Sequence, residues 1–299
     1  FDTENPACSV ESVPVSVNDR TRFIYEAACC GLRDFFVKNG YKKACVGVSG
    51  GIDSAVVACL AVAALGAENV RGLMMPSQFS SEGSVEDAKQ LAENLGIEFH
   101  VVPITEAYRS IVDTLIPVIG GTDFDATEEN IQSRIRTLML MALQNKNGYV
   151  LLNCSNKSEN ALGICTLYGD TGGAFSVTGD LYKTEMYDLA RYINRKFGAP
   201  IPENILTKEP SSELRPNQKD SDMLPSYEVV DAILYRLIED GQSREEIINA
   251  GFDSDEVQKI YAMVMRNEKK RFQYPPVLRL SSSSFGHEYR MPLTHKYVK

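Results

Sequence analysis

The sequence lacks the features of membrane, secreted and zinc-binding proteins. No apolar run reaches the length that spans a bilayer, and residues 1–5 do not begin a signal peptide. The 7 cysteines include no C-x-x-C pair, and His100, His287 and His295 are too scattered to indicate a zinc site or a catalytic triad. We therefore predict reduced thiols in a cytoplasmic protein without a membrane partner.

The sequence also lacks an excess of basic residues. Its 31 lysines and arginines stand against 40 acidic residues, which gives a formal net charge of −9. Because contacts with nucleic-acid phosphates need a basic surface, this balance argues against nucleic acid as the main partner.

The length and the hydrophobic content indicate an α/β enzyme with a true core. The chain has 299 residues, of which 43% are hydrophobic. We expect an N-terminal arm or linker at 1–18, one catalytic domain at 19–275, and a C-terminal tail of the same domain at 276–299 that is extended over the surface. A sequence that starts with Phe1 rather than Met fits a fragment, a processed chain or an incomplete sequence.

The most informative stretch is a glycine-rich turn between a predicted strand at 44–46 and a predicted helix at 55–65. The turn contains Gly47, Ser49, Gly50, Gly51, Asp53 and Ser54. A helix N-terminus with free N–H groups favours an anion, and glycines let the main chain approach it closely. A carboxylate at Asp53 would repel phosphate unless a cation lay between them, so the turn predicts a phosphate site that uses Mg²⁺.

Three other interpretations of this turn are weaker. A Walker-type P-loop needs a lysine that the turn does not have. Residues 47–51 formally match the G-x-S-x-G nucleophile elbow of a serine hydrolase. However, Asp53 would oppose a developing oxyanion, and few residues precede the strand. A chance glycine-rich turn would not explain the two serines and the carboxylate.

The rest of the chain alternates between strand and helix patterns. Further strands are predicted at 70–75, 97–102 and 149–152, and helices at 21–38, 84–95, 128–146, 183–197, 226–240, 243–250 and 253–270. Ser84 and Asp87 have the spacing of a capping box. This order predicts a doubly wound parallel sheet with helices on both faces, as in Rossmann-like folds, with ligands at the carboxyl ends of the strands. Met75 lies at one such end, where either adenine or an ordinary strand end is expected.

Several other polar residues fall at predicted strand ends or helix starts. Arg134 and Asn130 flank the apolar stripe of the 128–146 helix, which is formed by Ile131, Ile135, Leu138, Ala142 and Leu143. An arginine there usually covers a core face with its stem. Glu159 follows the 149–152 strand and is either a second magnesium ligand or a favourable charge at a helix start. Lys183 opens a helix, where its charge opposes the dipole, so phosphate is its expected partner.

Combined, these stretches resemble the synthetase domain of glutamine-dependent NAD synthetase, within the N-type ATP pyrophosphatase superfamily. The resemblance covers nearly the whole chain from about residue 21 and rests on the order of seven stretches, namely 49–54 (SGGIDS), 129–134 (ENIQSR), 156–159 (NKSE), 167–170 (LYGD), 183–184 (KT), 209–216 (EPSSELRP) and 267–271 (NEKKR). It implies an adenine nucleotide alpha hydrolase-like fold and a homodimer, with the dinucleotide bound partly across the interface.

The resemblance also implies the reaction. The carboxylate of nicotinic acid adenine dinucleotide attacks the α-phosphate of ATP and releases pyrophosphate, and ammonia then displaces AMP to give NAD. It assigns ATP phosphates to Ser49, Ser54, Lys183 and Ser211, the magnesium to Asp53 and Glu159, and the dinucleotide to Asn130, Arg134 and Lys270. Asp170 is placed near the nicotinate, where it helps ammonium to lose its proton.

Some features depart from the family pattern or leave alternatives open. Cys154 stands where related chains usually carry threonine near ATP, and Leu167 stands where ammonia-only enzymes tend to carry lysine. The sequence has no glutaminase domain, so we expect the chain to use free ammonia. The alternatives are another adenylating amidotransferase such as GMP synthetase, a serine hydrolase that uses Ser49, and a regulatory nucleotide-binding domain.

Overall fold

The core of the molecule is a sheet of five parallel strands. The computed structural model describes residues 17–120, 123–286 and 288–296. The strands are β1 (Lys43–Gly47), β2 (Val70–Met74), β3 (Glu98–Val101), β4 (Tyr149–Asn153) and β5 (Phe175–Ser176). Their order is β3-β2-β1-β4-β5, so the direction in which the chain adds strands reverses between β1 and β4. Strands β1 to β4 confirm the four strands predicted from the sequence, whereas β5 was not predicted.

The helices occupy most of the rest of the described chain. They are α1 (Val17–Lys38), α2 (Ile52–Leu65), α3 (Glu82–Leu95), α4 (Thr105–Ile119), α5 (Ala126–Asn147), α6 (Lys157–Leu162), α7 (Lys183–Phe197), α8 (Glu203–Thr207), α9 (Tyr227–Ile238), α10 (Arg244–Asn249), α11 (Ser254–Arg266) and α12 (Glu268–Arg271). None of the helices that the structure describes is both long and apolar enough to cross a bilayer.

Helices cover both faces of the sheet, which confirms the doubly wound architecture. One face carries α1, α2, α3 and α7, whose apolar side chains join those of the strands in the largest buried cluster. The other face carries α4 and α5, which bury Ile104, Ile131 and Ile135 against strand residues such as Leu151. Buried strands of this kind need apolar side chains on both faces, and β4 is buried at all of its positions.

A third cluster of apolar side chains lies beside the sheet. It is formed mainly by α6, α9, α10 and α11 and includes Leu162, Leu234 and Ile260. Helices α6 and α7 both contact α9, so this helical group is attached to the same helices that follow β4 and β5.

Several local predictions were wrong. Helix α3 begins at Glu82, because Ser81 caps it by accepting a hydrogen bond from the Ser84 N–H, so Ser84 and Asp87 do not form the capping box. Helix α4 was not predicted, although its residues are amphipathic. In α5, Leu138 is 67% exposed and Leu140 is buried in its place, because the helix packs against both the sheet and the loop that follows α6.

The expected surface tail is partly built into the fold. Ser176 of β5 donates its N–H to the Pro276 carbonyl and accepts from the Leu278 N–H, so this segment extends the edge of the sheet. Ser284 and Phe285 are buried. Residues 1–16 of the predicted arm, His287 and residues 297–299 lie outside the described residues.

Candidate active site

A cavity of about 310 Å³ opens at the carboxyl edge of the sheet, at the point between β1 and β4 where the strand order reverses. Open parallel sheets bind ligands at this point, because the loops that leave the two central strands diverge to opposite faces. The cavity is lined by most of the residues predicted for ATP, namely Gly47, Ser49, Gly51, Asp53, Ser54, Met75, Lys183 and Ser211.

The glycine turn has the compact shape that its sequence predicts. The Ser49 N–H donates to the Ser54 hydroxyl, and that hydroxyl donates to the Gly51 carbonyl. Gly50 has a φ of +79°, and a Cβ there would lie 2.2 Å from the Ser84 carbonyl oxygen. Gly50 is therefore required both by its backbone conformation and by its contact with α3. Gly51, with φ −93°, has an extended backbone that other residues also adopt.

Lys183 brings two acidic residues together beside this turn. Its ammonium donates to Asp53 Oδ2 over 2.6 Å and lies 3.7 Å from Glu159 Oε1. Burial disfavours the charged ammonium, but the two carboxylates more than compensate, so the pKa of Lys183 is raised. Asn156 donates to the other oxygen of Asp53 over 2.9 Å. The Asp53 carboxylate is therefore held from two sides.

The chemistry of Asp53 and Glu159 is suited to holding a magnesium ion. Burial, together with the charge of Asp53, raises the pKa of Glu159 to about 8. Two carboxylates that repel each other in this way are stabilised by a divalent cation between them, and Mg²⁺ usually takes one or two carboxylates plus phosphate oxygens and water. No group of three or more His, Cys, Asp or Glu side chains suited to a metal occurs among the described residues.

Asp170 lies in the same cavity and has a fixed orientation. One carboxylate oxygen accepts from the Thr166 N–H over 2.6 Å, and the Asp170 N–H donates to the Ser133 hydroxyl. The enclosing protein raises the pKa of the Asp170 carboxyl to about 6, although the Thr166 N–H and the charge of Lys270 act in the opposite direction. A carboxylate of this kind can accept a proton near neutral pH.

The residues predicted for the dinucleotide form a separate group around the loop that follows α6. Asn130 accepts from the Thr166 hydroxyl, Arg134 donates to the Leu167 carbonyl, and Lys270 donates to the Gly163 and Cys165 carbonyls. None of the three lines the cavity. They hold the loop that carries Asp170, at the rim of the cavity.

The loop after α8 forms another part of the cavity wall. Lys208 donates to Asp87 over 2.9 Å and to the Ser84 hydroxyl. Glu213 accepts from the N–H and hydroxyl of Ser81 and from the Ser84 hydroxyl. Ser211 donates to the Gln218 carbonyl within the loop.

The structure adds cavity residues that were not singled out from the sequence. Besides Lys208 and Glu213, Arg136 of α5 lines the cavity and donates through Nε to the Met75 carbonyl over 3.0 Å. Positions 133, 136 and 140 share one helix face, and Ser133 and Leu140 on that face are buried. An arginine on a buried face is the sequence signal that could have identified it.

The cavity also contains Cys154, at the position where a threonine was expected from the family pattern. Burial and the nearby carboxylates of Asp53 and Glu159 raise the pKa of its thiol far above the usual range. The thiol is therefore protonated at neutral pH and is not a nucleophile.

The fold is that of an α/β protein of the adenine nucleotide alpha hydrolase-like type. A glycine turn, two carboxylates and a lysine meet at the carboxyl edge of its sheet, where the strand order reverses. The sequence matches the family model of NAD synthase over residues 24–274. The chain belongs to the NAD synthase family.

Individual relatives agree with this assignment. The chain is 52% identical over 276 residues to the glutamine-dependent NAD(+) synthetase of Aquifex aeolicus. The aligned residues cover 92% of this chain and 48% of the relative. It is similar in structure to glutamine-dependent NAD+ synthetase from Acinetobacter baumannii in complex with ADP, with a TM-score of 0.63, 41% identity and coverage of 95% of this chain and 51% of that one. It is also similar to the NH3-dependent NAD synthetase of Campylobacter jejuni, with a TM-score of 0.67, 30% identity and coverage of 84% and 95%. The chain thus spans about half the length of the curated relatives that it matches.

Proposed function

We propose that this chain amidates nicotinic acid adenine dinucleotide to NAD, using ATP and ammonia and releasing AMP and pyrophosphate. The observation that carries the proposal is the contact of Lys183 with both Asp53 and Glu159, beside the glycine turn of an NAD synthase family member. The chain spans 95% of a relative described as an NH3-dependent NAD synthetase, which supports ammonia as the immediate nitrogen donor.

The first step joins two anions. The nicotinate carboxylate oxygen bonds to the α-phosphorus of ATP, and the bond from that phosphorus to the bridging oxygen breaks, so pyrophosphate leaves. Ser49, Ser54 and the N–H groups of the turn would hold the phosphates, and Lys183 would neutralise charge on the leaving group. When it is bound, Mg²⁺ held by Asp53 and Glu159 would supply further charge neutralisation there.

The second step replaces AMP with nitrogen. Ammonia bonds to the activated carboxyl carbon, AMP leaves with the oxygen, and the nitrogen gives up its extra proton. Asp170 would accept that proton, since its carboxylate faces the cavity and its pKa is raised to about 6. Asn130, Arg134 and Lys270 would position the dinucleotide through the loop that carries Asp170.

A pyrophosphate-release screen tests this function. Purified chain with ATP, Mg²⁺ and ammonium is offered the nicotinate dinucleotide, nicotinate mononucleotide, xanthylate or aspartate. We expect release, together with NAD, only with the dinucleotide. Release with xanthylate would favour a GMP synthetase, and no release with any acceptor would favour a regulatory domain.

A comparison of nitrogen donors tests the expected use of ammonia. With saturating dinucleotide and ATP, we expect the 299-residue chain to form NAD from ammonium and hardly any from glutamine. Equal rates with the two donors would contradict this expectation.

We also propose a cytoplasmic homodimer. Large apolar side chains are exposed on α4, α5 and the adjoining loop, where Val118 is 81%, Leu138 67% and Tyr168 69% exposed. Exposed apolar side chains of this size are candidates for a protein interface. Light scattering should give twice the mass of 33.1 kDa. The free cysteines, two of them buried in the sheet and α2, fit a reducing compartment.

A further inference from the structure

Arg136 differs from the two other cationic residues on the cavity wall. Lys183 is bonded to Asp53, and Lys208 is bonded to Asp87. Arg136 uses its Nε for the Met75 carbonyl, and its guanidinium makes no other hydrogen bond or ion pair within the described part of the chain. Arg136 lines the cavity, and its two Nη groups carry four N–H donors for which the described part of the chain supplies no hydrogen-bond partner.

The surroundings of Arg136 leave space for an anion. Glu213 and Asp170 are the carboxylates that act on it electrostatically, yet neither forms an ion pair with it. Burial lowers the pKa of Arg136 to about 10, so the guanidinium is still charged at neutral pH. Arg136 is half-buried, and a partly desolvated guanidinium without an ion pair is stabilised by a ligand that supplies the missing negative charge.

The position of Arg136 indicates which part of the ligands it meets. It is bonded to Met75, at the end of β2, and it shares a helix face with Ser133, which binds the Asp170 N–H. It thus lies on the wall between the strand end predicted for adenine and the carboxylate predicted for the nicotinate.

We propose that Arg136 is a substrate-binding catalytic residue whose Nη groups hold a pair of anionic oxygens where the two substrates meet. These oxygens belong to the α-phosphate of ATP or to the nicotinate carboxylate. A guanidinium binds either group through two parallel hydrogen bonds, and it reduces the repulsion between two anions that must form a bond. This assignment rests on the proposed function.

The test compares three variants with the wild type. Arg136→Met removes the charge and the donors, Arg136→Lys keeps the charge without the planar fork, and Arg195→Met removes an exposed arginine outside the cavity. Steady-state pyrophosphate release gives kcat and KM for ATP and for the dinucleotide. Calorimetry gives ATP binding without the dinucleotide, ITP replaces ATP to probe the base, and thermal unfolding checks the fold.

We expect Arg136→Met to lower kcat/KM for pyrophosphate release roughly 100-fold and Arg136→Lys to recover part of that loss, with Arg195→Met unchanged. Weaker ATP binding would identify the α-phosphate as the ligand, and a raised KM for the dinucleotide alone would identify the carboxylate. Wild-type kinetics in Arg136→Met, or a change only in the preference for ATP over ITP, would overturn the proposal. A wild type that releases no pyrophosphate would refute the proposed function instead, and ATP binding by Arg136→Met would then still decide the role of Arg136.

Discussion

Each oxygen of the Asp53 carboxylate accepts one hydrogen bond, one from Lys183 and the other from Asn156. These partners come from the starts of two different helices, α7 and α6, so the position of one side chain depends on both. In the proposed reaction, the same oxygens would hold the cation that faces pyrophosphate.

Replacing Asp53 with Asn should separate the two chemical interpretations of the glycine turn. We expect pyrophosphate release to fall roughly 100-fold or more, because a neutral amide removes one of the two carboxylate charges beside Lys183 and binds Mg²⁺ poorly. A serine hydrolase that uses Ser49 would keep its acyl transfer in this variant. Retained hydrolysis of a p-nitrophenyl ester, lost only in Ser49→Ala, would contradict our assignment.

The raised pKa of Asp170 predicts how the rate of the amidation step depends on pH. The base is active when ionised, and its pKa is raised to about 6, so the rate should fall as the pH decreases through about 6. The measurement is single-turnover NAD formation from pH 5 to 8 at constant free ammonia, so that the titration of ammonium does not contribute. In Asp170→Asn the rate should be low and this limb should disappear. The same limb in that variant would show that a different group titrates.

At the scale of residues, the sequence was informative where function needs an unusual residue type. Asp53 in a glycine turn and a lysine at a helix start both conflict with simple electrostatics, and the structure places them within 2.6 Å of each other. Arg136 could not be identified in the same way, because the apolar stripe of α5 was assigned to the wrong face at Leu138. Contacts such as the one between Gly50 and Ser84 depend on tertiary packing that the sequence does not show.

At the scale of elements, one buried carboxylate connects the helical group to the site. Asp231 of α9 accepts from the Ser158 hydroxyl over 2.5 Å and from the Thr184 N–H over 2.8 Å. The Ser158 hydroxyl in turn accepts from the Lys183 N–H. Asp231 therefore fixes the first turns of both α6 and α7, which carry Glu159 and Lys183.

Replacing Asp231 with Ala should affect stability and catalysis together. The buried donors left without an acceptor should lower the free energy of unfolding by about 1–3 kcal/mol each. The rate of pyrophosphate release should also fall, because the start of α7 is no longer held against α6. Urea unfolding and kcat measure the two effects, and Asp240→Ala, exposed just beyond the same helix, is the control. Full activity in Asp231→Ala would show that Lys183 is positioned without α9.

The elements themselves were predicted well where the pattern was long and regular, as in α2, α5 and α7. The two-residue strand β5 was missed because it is too short for a recognisable alternation. Its pairing depends on β4 and on the segment at Pro276–Leu278, which are distant in the sequence. The capping of α3 by Ser81 was missed because serines crowd that region and only the structure shows which one accepts the bond.

At the scale of the whole molecule, a buried lysine joins parts of the chain that are far apart in sequence. Lys157 has a fully buried side chain, contacts Asp180 over 2.9 Å, and also pairs with Glu239. Its ammonium donates as well to the Ser281 hydroxyl and to the Ser283 carbonyl. Two carboxylates around one ammonium leave this interior cluster with a net negative charge.

Replacing Lys157 with Met should destabilise the fold by about 3–5 kcal/mol, because Asp180 and Glu239 would remain buried without a cation. The urea midpoint should fall accordingly, whereas Lys42→Met, on an exposed residue, should leave it unchanged. An unaltered midpoint would show that water compensates the two carboxylates.

The contact between Lys157 and Ser281 also has a consequence for biosynthesis. These residues are 124 positions apart, and the sheet edge at β5 is likewise completed by the segment at Pro276–Leu278. During translation, the Lys157 ammonium lacks two of its hydrogen-bond acceptors until the ribosome has made residues 281–283. The helix start that carries Glu159 therefore reaches its final arrangement late, so a nascent chain should become competent to bind nucleotide only after residues 281–283 have left the ribosome.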